Sequence, residues 1–121
     1  MSESGQKNLA VFCRERLEGA TGGDRKFAAE VLTIFMKSFA KDLSEIESAA
    51  ARGDERSLRY YARLAGASSQ TVGADRLAGI CLRLEKQTPI AKAADVALTL
   101  AAEIGFFADQ VVSFLLSPAA A

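Results

Sequence analysis

The spacing of small and apolar residues in the middle of the chain is the feature that most constrains its fold. Leu58, Ala62, Ala65, Ser69 and Val72 recur at alternating intervals of four and three residues. In an α-helix this spacing places all five side chains on one face. The stretch therefore predicts an amphipathic helix whose small-residue face packs closely against other helices.

The opposite face of the same predicted helix has an unusual composition. Its members are Arg59, Tyr60, Arg63, Gly66, Ala67 and Gln70. An exposed helical position usually carries a long polar side chain, and glycine costs about 1 kcal/mol relative to alanine inside a helix. The step from Gly66 to Ala67 on this face therefore predicts the close approach of another backbone.

The N-terminal half of the chain predicts two further helices. A short amphipathic helix is expected from Gln6 or Lys7 to about Glu18, followed by a glycine-rich loop at Gly19–Gly23. A long helix is expected over Arg25–Arg52, with Asp24 as its N-cap. Glycine and aspartate then follow directly at positions 53 and 54, a pair typical of a tight connection between two antiparallel helices.

The C-terminal half predicts the remaining three helices. The central helix extends over Glu55–Thr71 and is broken at Gly73, and a fourth follows over Ala74–Gln87. Thr88–Pro89 is expected to cap and open a fifth helix, with proline at its first position. The near-heptad spacing of the fifth helix is typical of a left-handed bundle seam. Its predicted core residues are Ala93, Ala97, Leu100, Ile104, Phe107, Val111 and Phe114.

These elements predict an all-α fold, an antiparallel four-helix bundle formed by the second to fifth helices. The short first helix is expected to cap one end of that bundle. The length of 121 residues suits a single domain over residues 1–121, with the core bundle at about 25–116.

Charge and hydropathy narrow the classes of partner. The 15 basic residues equal the 15 acidic residues in number, so no net charge attracts the chain to nucleic acid or to an anionic membrane. The apolar stretch 96–116 contains Glu103, Asp109 and Gln110, and charged residues at mid-bilayer cost a few kcal/mol. It is therefore interpreted as a buried helix, and the protein as cytoplasmic, with no nucleic-acid or membrane partner.

The cysteine and histidine content bears on cofactors. Cys13 and Cys81 lie far apart in the sequence, and the chain contains no histidine. Two reduced thiols in a cytosolic protein are the expected state, with a disulfide or a metal pair as the alternative. Zinc has no adequate ligand set, so neither a metal site nor a cofactor is predicted.

The central stretch resembles a known family. Histidine-phosphotransfer (HPt) domains carry a signature of the form A-H-x-L-K-G-S-S-x-x-hydrophobic-G-A, followed by a leucine-rich helix. Aligned without gaps, Ala62 matches the first alanine, the serines at 68–69 match the small pair, and residues 72–74 match the last three positions. Residues of the family's usual types follow at Arg76, Leu77, Ala78, Cys81, Leu84 and Glu85. The resemblance covers about 27–116 and is sharpest over 62–85.

The chain departs from the family at the positions that carry its chemistry. Arg63 takes the place of the phosphoacceptor histidine, Gly66 that of the lysine and Ala67 that of the glycine. Because the chain has no histidine, no shift of alignment restores the acceptor. The resemblance therefore implies a degenerate, phosphorylation-incompetent member with no catalytic residues.

The resemblance also implies a partner. The family's histidine docks into the acidic pocket of a receiver domain, and the always-protonated arginine fork pairs with carboxylates or phosphate. We therefore expect a non-catalytic adaptor of bacterial two-component signalling, a monomer or weak dimer, that binds a receiver domain or a histidine kinase. The predicted partner-binding residues are Arg63, Tyr60, Arg59, Gly66, Ala67 and Gln70, with Lys41 and Ser44 from the preceding helix.

Other functions remain open at this point. Gln70 could orient a water molecule at a receiver's acyl phosphate, which would make the protein a receiver phosphatase. A displaced acceptor would make it a phosphotransfer protein, and a structural helical module would need neither chemistry. Loss of selection for the family's lysine would equally explain Gly66 and Ala67.

Overall fold

The computed structural model describes residues 9–117, and this part of the chain is helical without any strand. Its α-helices are α1 (Arg14–Thr21), α2 (Arg25–Arg52), α3 (Glu55–Thr71), α4 (Asp75–Lys86) and α5 (Ala93–Leu116), with a short 3-10 turn at Ile90–Lys92. The all-α prediction is confirmed for these residues.

The N-cap residues predicted for α2 and α3 are present. The side chain of Asp24 accepts a hydrogen bond from the Phe27 N–H at 3.0 Å, and that of Asp54 accepts one from the Ser57 N–H at 3.1 Å. Hydrogen bonds from the Ser57 backbone and hydroxyl, and then from Arg52, hold the pKa of Asp54 below its ordinary value. These caps satisfy amide groups that have no partner inside their helices.

The helices share one apolar core. Helix α2 packs against α3 and α5, and α4 packs against the same two helices. Of the core residues predicted in α5, six are buried and Ile104 is half-buried. The largest fully buried side chains include Leu32, Phe39, Ile46, Leu58, Leu77, Leu84, Leu100 and Phe107.

A short first helix is present, but its predicted bounds, from Gln6 or Lys7 to about Glu18, are wrong. Residues 9–13 are not helical, and α1 continues past Gly19 to Thr21; residues 6–8 lie outside the described part of the chain. The Cys13 N–H donates to the carbonyl of Gly73 at 2.7 Å, and the Arg76 N–H donates to that of Ala10 at 3.0 Å. This segment is not helical because its backbone forms hydrogen bonds with the α3–α4 turn and with the first turn of α4.

The α3–α4 turn accommodates this segment through one glycine. Gly73 has a φ of 80°, and a Cβ atom at this position would collide with the Cys13 carbonyl. Phe12 then inserts beside Phe107 and Phe114, with ring centroids 5.5 Å apart in both pairs. The N-terminal segment thus contributes to the core through an aromatic cluster.

The predicted start of the fifth helix is also wrong. Thr88 does not cap α5, because its hydroxyl donates to the carbonyl of Arg83 at 3.0 Å and its N–H donates to the same carbonyl at 2.8 Å. Thr88 therefore completes the end of α4. Pro89 is followed by the 3-10 turn, and α5 begins at Ala93.

Helix α5 has two different faces. Its exposed apolar residues include Leu98, Phe106, Val112 and Leu116, while Glu103 is buried on the side that faces the core. The stretch Ile90–Leu116 is long and apolar enough to span a membrane. The core helix of a soluble protein can have the same length and hydropathy.

Candidate functional site

Four of the predicted partner-binding residues line one surface groove between α3 and α4. They are Arg63, Gly66, Ala67 and Gln70. This α3–α4 groove has a volume of about 410 Å³. Its other lining residues are Leu9, Arg16, Asp75, Ala78, Gly79, Leu82 and Glu85.

Arg63 is the cation of this groove that is available for a further contact. Its side chain is exposed, and within residues 9–117 it takes part in no ion pair. Arg16, the other arginine of the groove, pairs with both carboxylate oxygens of Asp75 at 3.1 and 3.3 Å. The hydrogen bond and then the charge of Asp75 raise the pKa of Arg16. An incoming carboxylate or phosphate would therefore meet Arg63 without first breaking an ion pair.

The interpretation of Gly66 as an outward-facing position requires correction. A Cβ atom at Gly66 would lie 3.2 Å from the Cβ of Cys81 and 3.9 Å from the carbonyl oxygen of Ala78. Gly66 therefore faces α4, and the backbone that approaches it closely belongs to the same chain. Ala67, the next residue, is exposed in the groove.

The two residues predicted nearer the start of α3 do not line the groove. The guanidinium of Arg59 donates to the carbonyl of Leu84 and to the Glu55 carboxylate, the latter at 2.8 Å. It thus connects α3 with the end of α4. Tyr60 is 50% exposed and its ring meets the ring of Tyr61 edge-on, with centroids 5.0 Å apart.

Lys41 and Ser44 are exposed on α2, and neither lines the α3–α4 groove. The structure thus brings together the predicted residues from the second half of α3. The two residues predicted on α2 stay outside that group.

Several groove residues were missed by the sequence reasoning. Asp75, Leu82 and Glu85 lie on the outer face of α4, and their spacing of seven and three residues is a helical signal that was available. Leu82 is 51% exposed and gives the groove an apolar side. Leu9 had no such signal, because its place depends on pairing between the N-terminal segment and a distant turn.

The serine hydroxyls and the cysteine thiol near the groove are not activated as nucleophiles by the described residues. The hydroxyl of Ser69 donates to the carbonyl of Ala65 at 2.7 Å, and that of Ser68 donates to the carbonyl of Leu64 at 3.2 Å. Burial, and then the charge of Asp42, raise the pKa of the Cys81 thiol to about 12. At neutral pH this thiol is protonated, and only a thiolate is an effective nucleophile or metal ligand.

Potential metal ligands do not cluster in the part of the chain that the structure covers. Within residues 9–117 no three Cys, Asp or Glu side chains are grouped so that they could hold an ion. The polar groups of the α3–α4 groove are instead guanidinium, carboxylate and amide groups.

Comparison with protein families, with characterised proteins and with solved structures gives no match to this chain. The resemblance to HPt domains therefore rests on the residues of the central stretch alone.

Proposed function

We propose that this protein is a non-catalytic, HPt-like docking module of bacterial two-component signalling. It binds the receiver domain of a response regulator, or a histidine kinase, without accepting a phosphoryl group. The observation that supports this most is the α3–α4 groove, where Arg63 takes the place of the family's histidine. The guanidinium of Arg63 is exposed there and forms no ion pair within residues 9–117.

The proposal includes a specific arrangement of helices. In it, α2 to α5 form an antiparallel four-helix bundle, and the N-terminal segment crosses the end that carries the α3–α4 turn. The left-handed conformations of Gly53 and Gly73 support short reversals between successive helices. The packing of α2 and α4 against both α3 and α5 also agrees with such a bundle.

Arginine at the central position explains docking without phosphotransfer. Its guanidinium stays protonated and binds carboxylate or phosphate through two parallel hydrogen bonds. It lacks the free imidazole nitrogen that attacks an acyl phosphate. In this proposal the protein is cytoplasmic, a monomer or weak dimer, and acts by occupying the acidic pocket of its partner.

Binding to purified receiver domains tests the proposal. Titration calorimetry of the protein against a panel of receivers should identify a partner, and Arg63→Ala should weaken that binding by about 1–3 kcal/mol. Lys26→Ala is the matched control, because Lys26 is exposed at the start of α2 and lies outside the groove. Equal affinities for the parent and for Arg63→Ala would contradict the docking role.

Phosphoryl transfer is tested separately. Incubation with phosphorylated receivers should leave no acid-labile phosphate on this chain, because it has no histidine. Labelling of the isolated protein would overturn the non-catalytic part of the proposal and would favour a displaced acceptor.

A receiver phosphatase is the second candidate, and Gln70 is the observation that favours it. Gln70 is exposed and lines the same groove as Arg63, where its amide could orient a water molecule at a partner's acyl phosphate. If the protein accelerates receiver dephosphorylation and Gln70→Ala removes that acceleration, the phosphatase is the correct function. If Gln70→Ala leaves the receiver's lifetime unchanged, docking is sufficient.

A further inference from the structure

A second groove lies on the other side of α4, between α4 and α5. This α4–α5 groove has a volume of about 300 Å³, at the lower end of the range for small-molecule sites. It is lined by Leu9, Arg76, Gly79, Ile80, Arg83, Thr99 and Glu103. None of these residues was assigned to the docking site from the sequence, and only Leu9 and Gly79 also line the α3–α4 groove.

Glu103 gives this groove a buried carboxylate. Its side chain is 5% exposed, and its Oε1 atom pairs with Nη2 of Arg76 at 3.2 Å. Its Oε2 atom is buried and has no hydrogen-bond partner within residues 9–117. A buried charged oxygen without a donor is costly, so the most favourable addition at this end of the groove is a cationic N–H group.

Arg83 gives the groove a cationic donor that has no acceptor. It is half-buried, and its guanidinium takes part in no ion pair or hydrogen bond within the described residues. Arg83 follows Arg76 by seven residues on α4, which is about two helical turns or 10 Å along the axis. The groove therefore has an acceptor without a donor near Arg76 and a donor without an acceptor near Arg83.

The wall between these two ends is apolar. An added Cβ atom at Gly79 would lie 2.8 Å from Cδ1 of Leu9, so the glycine allows Leu9 to lie directly on α4. Ile80 lines the same stretch. This surface suits methylene groups better than further polar atoms.

We propose that the α4–α5 groove binds a small zwitterion, with its ammonium group at the Glu103 carboxylate and its carboxylate on Arg83. A ligand with a single charge would leave one end of the groove without a partner. In this proposal the two charged groups of the ligand are separated by several bonds, because Arg76, which pairs with Glu103, and Arg83 are about 10 Å apart along the axis of α4. An ω-amino acid or a short peptide has the required chemistry, with its middle against Leu9 and Ile80.

A series of ω-amino acids tests the proposal on the whole protein. Calorimetry with glycine, γ-aminobutyrate and 6-aminohexanoate varies the separation of the two charges, while n-butylamine and butyrate each carry one charge. We expect at least one longer ω-amino acid to bind about tenfold more tightly than both single-charge compounds, a difference of about 1.4 kcal/mol. Absence of binding by every ω-amino acid, or equal binding by amine and zwitterion, would overturn the proposal.

Two substitutions address the two ends of the groove independently. Glu103→Gln removes the charge that holds the ammonium group, and Arg83→Gln removes the partner of the carboxylate; each should weaken zwitterion binding about tenfold. Lys26→Gln is the control and should bind like the parent. If Glu103→Gln does not fold, Arg83→Gln decides, and parental affinity in that variant overturns the proposal. No receiver is present in this assay, so its outcome is independent of the docking function.

Discussion

Helix α4 packs against α3 and α5 through different kinds of side chain. On the side of α3, small residues meet closely: Gly66 lies against Cys81 and Ala78, and the buried positions of α3 include Ala62 and Ala65. On the other side, α5 presents large side chains to the core, and a partly buried ion pair between Arg76 and Glu103 lies in the groove.

The difference shows what a small residue in a helix means. At the α3–α4 crossing the missing side chain of Gly66 allows two backbones of one chain to approach. A glycine on a polar helical face is therefore evidence of a close neighbour, but it does not identify that neighbour as a partner molecule. On the α5 side the stabilising features are bulk and charge, which respond to different substitutions.

Removal of bulk on the α5 side should have the largest effect. Phe107 is fully buried and meets the rings of Phe12 and Phe35 edge-on, each at 5.5 Å. Phe107→Ala should lower the free energy of unfolding by about 3–5 kcal/mol, as for other aromatic core truncations. Urea unfolding of this variant beside Phe106→Ala gives a matched control, because Phe106 is 55% exposed and its loss should cost much less. Similar losses of unfolding free energy in both variants would mean that Phe107 is not part of the buried core.

Addition of bulk on the α3 side should have the next largest effect. Gly66→Gln places a side chain where Cys81 is already at contact distance, and such overpacking costs about 1–3 kcal/mol. The sequence alone suggests the opposite, a small gain from the better helix propensity of glutamine. Thermal unfolding should therefore show a lower midpoint for Gly66→Gln and a nearly parental one for Ala67→Gln, since Ala67 is exposed. A midpoint at or above the parental value for Gly66→Gln would contradict the close packing of α3 against α4 at Gly66.

Helix periodicity predicted most of the helices but only part of the candidate groove. Local signals were sufficient for the caps at Asp24 and Asp54, because those contacts are made within four residues of the chain. The non-helical segment that ends at Cys13 was mispredicted, since its hydrogen bonds are made to the α3–α4 turn and the start of α4, about 60 residues away. The direction of Gly66 was mispredicted for a related reason. Its face was inferred from α3 alone, whereas the position of α4 decides what covers it.

The burial of Glu103, on the α5 side of α4, also could not be predicted from one helix alone. In the sequence, Glu103 appears as a charge that interrupts an apolar stretch. In the structure it lies beside Arg76, a residue of a different helix, and this ion pair offsets part of the cost of burying its carboxylate. The sequence has the charges but gives no information about which helices bring them together.

A third substitution compares the close-packed Gly66 with a second glycine that has no close neighbour. Gly105 lies in α5, is exposed, and has no atom within 4 Å of an added Cβ. Gly105→Ala should therefore stabilise the protein by about 0.5–1 kcal/mol, through helix propensity and a less flexible unfolded chain. Denaturant titration measures this gain. A loss of stability would show that the backbone at Gly105 needs the freedom of glycine.

The smallest expected effect concerns a buried charge near the α3–α4 crossing. Asp42 of α2 is 7% exposed, and its burial, opposed by Lys41 and assisted by Glu45, raises its pKa. The same carboxylate is one cause of the raised pKa of Cys81. Because the folded-state pKa of Asp42 exceeds the unfolded value of about 3.9, the folded protein binds this proton more tightly. The stabilisation from that proton is complete below the unfolded pKa and is lost as the pH rises through the folded pKa.

Asp42→Asn should therefore raise the melting temperature at pH 7 slightly, because asparagine cannot ionise at this buried position. The gain should shrink as the pH falls towards the unfolded pKa, where the parental side chain is itself neutral. Asp109→Asn is the control, because Asp109 is exposed on α5 and should show no such trend. A difference in melting temperature that stays constant from pH 7 to pH 4 would assign the effect of Asp42 to packing.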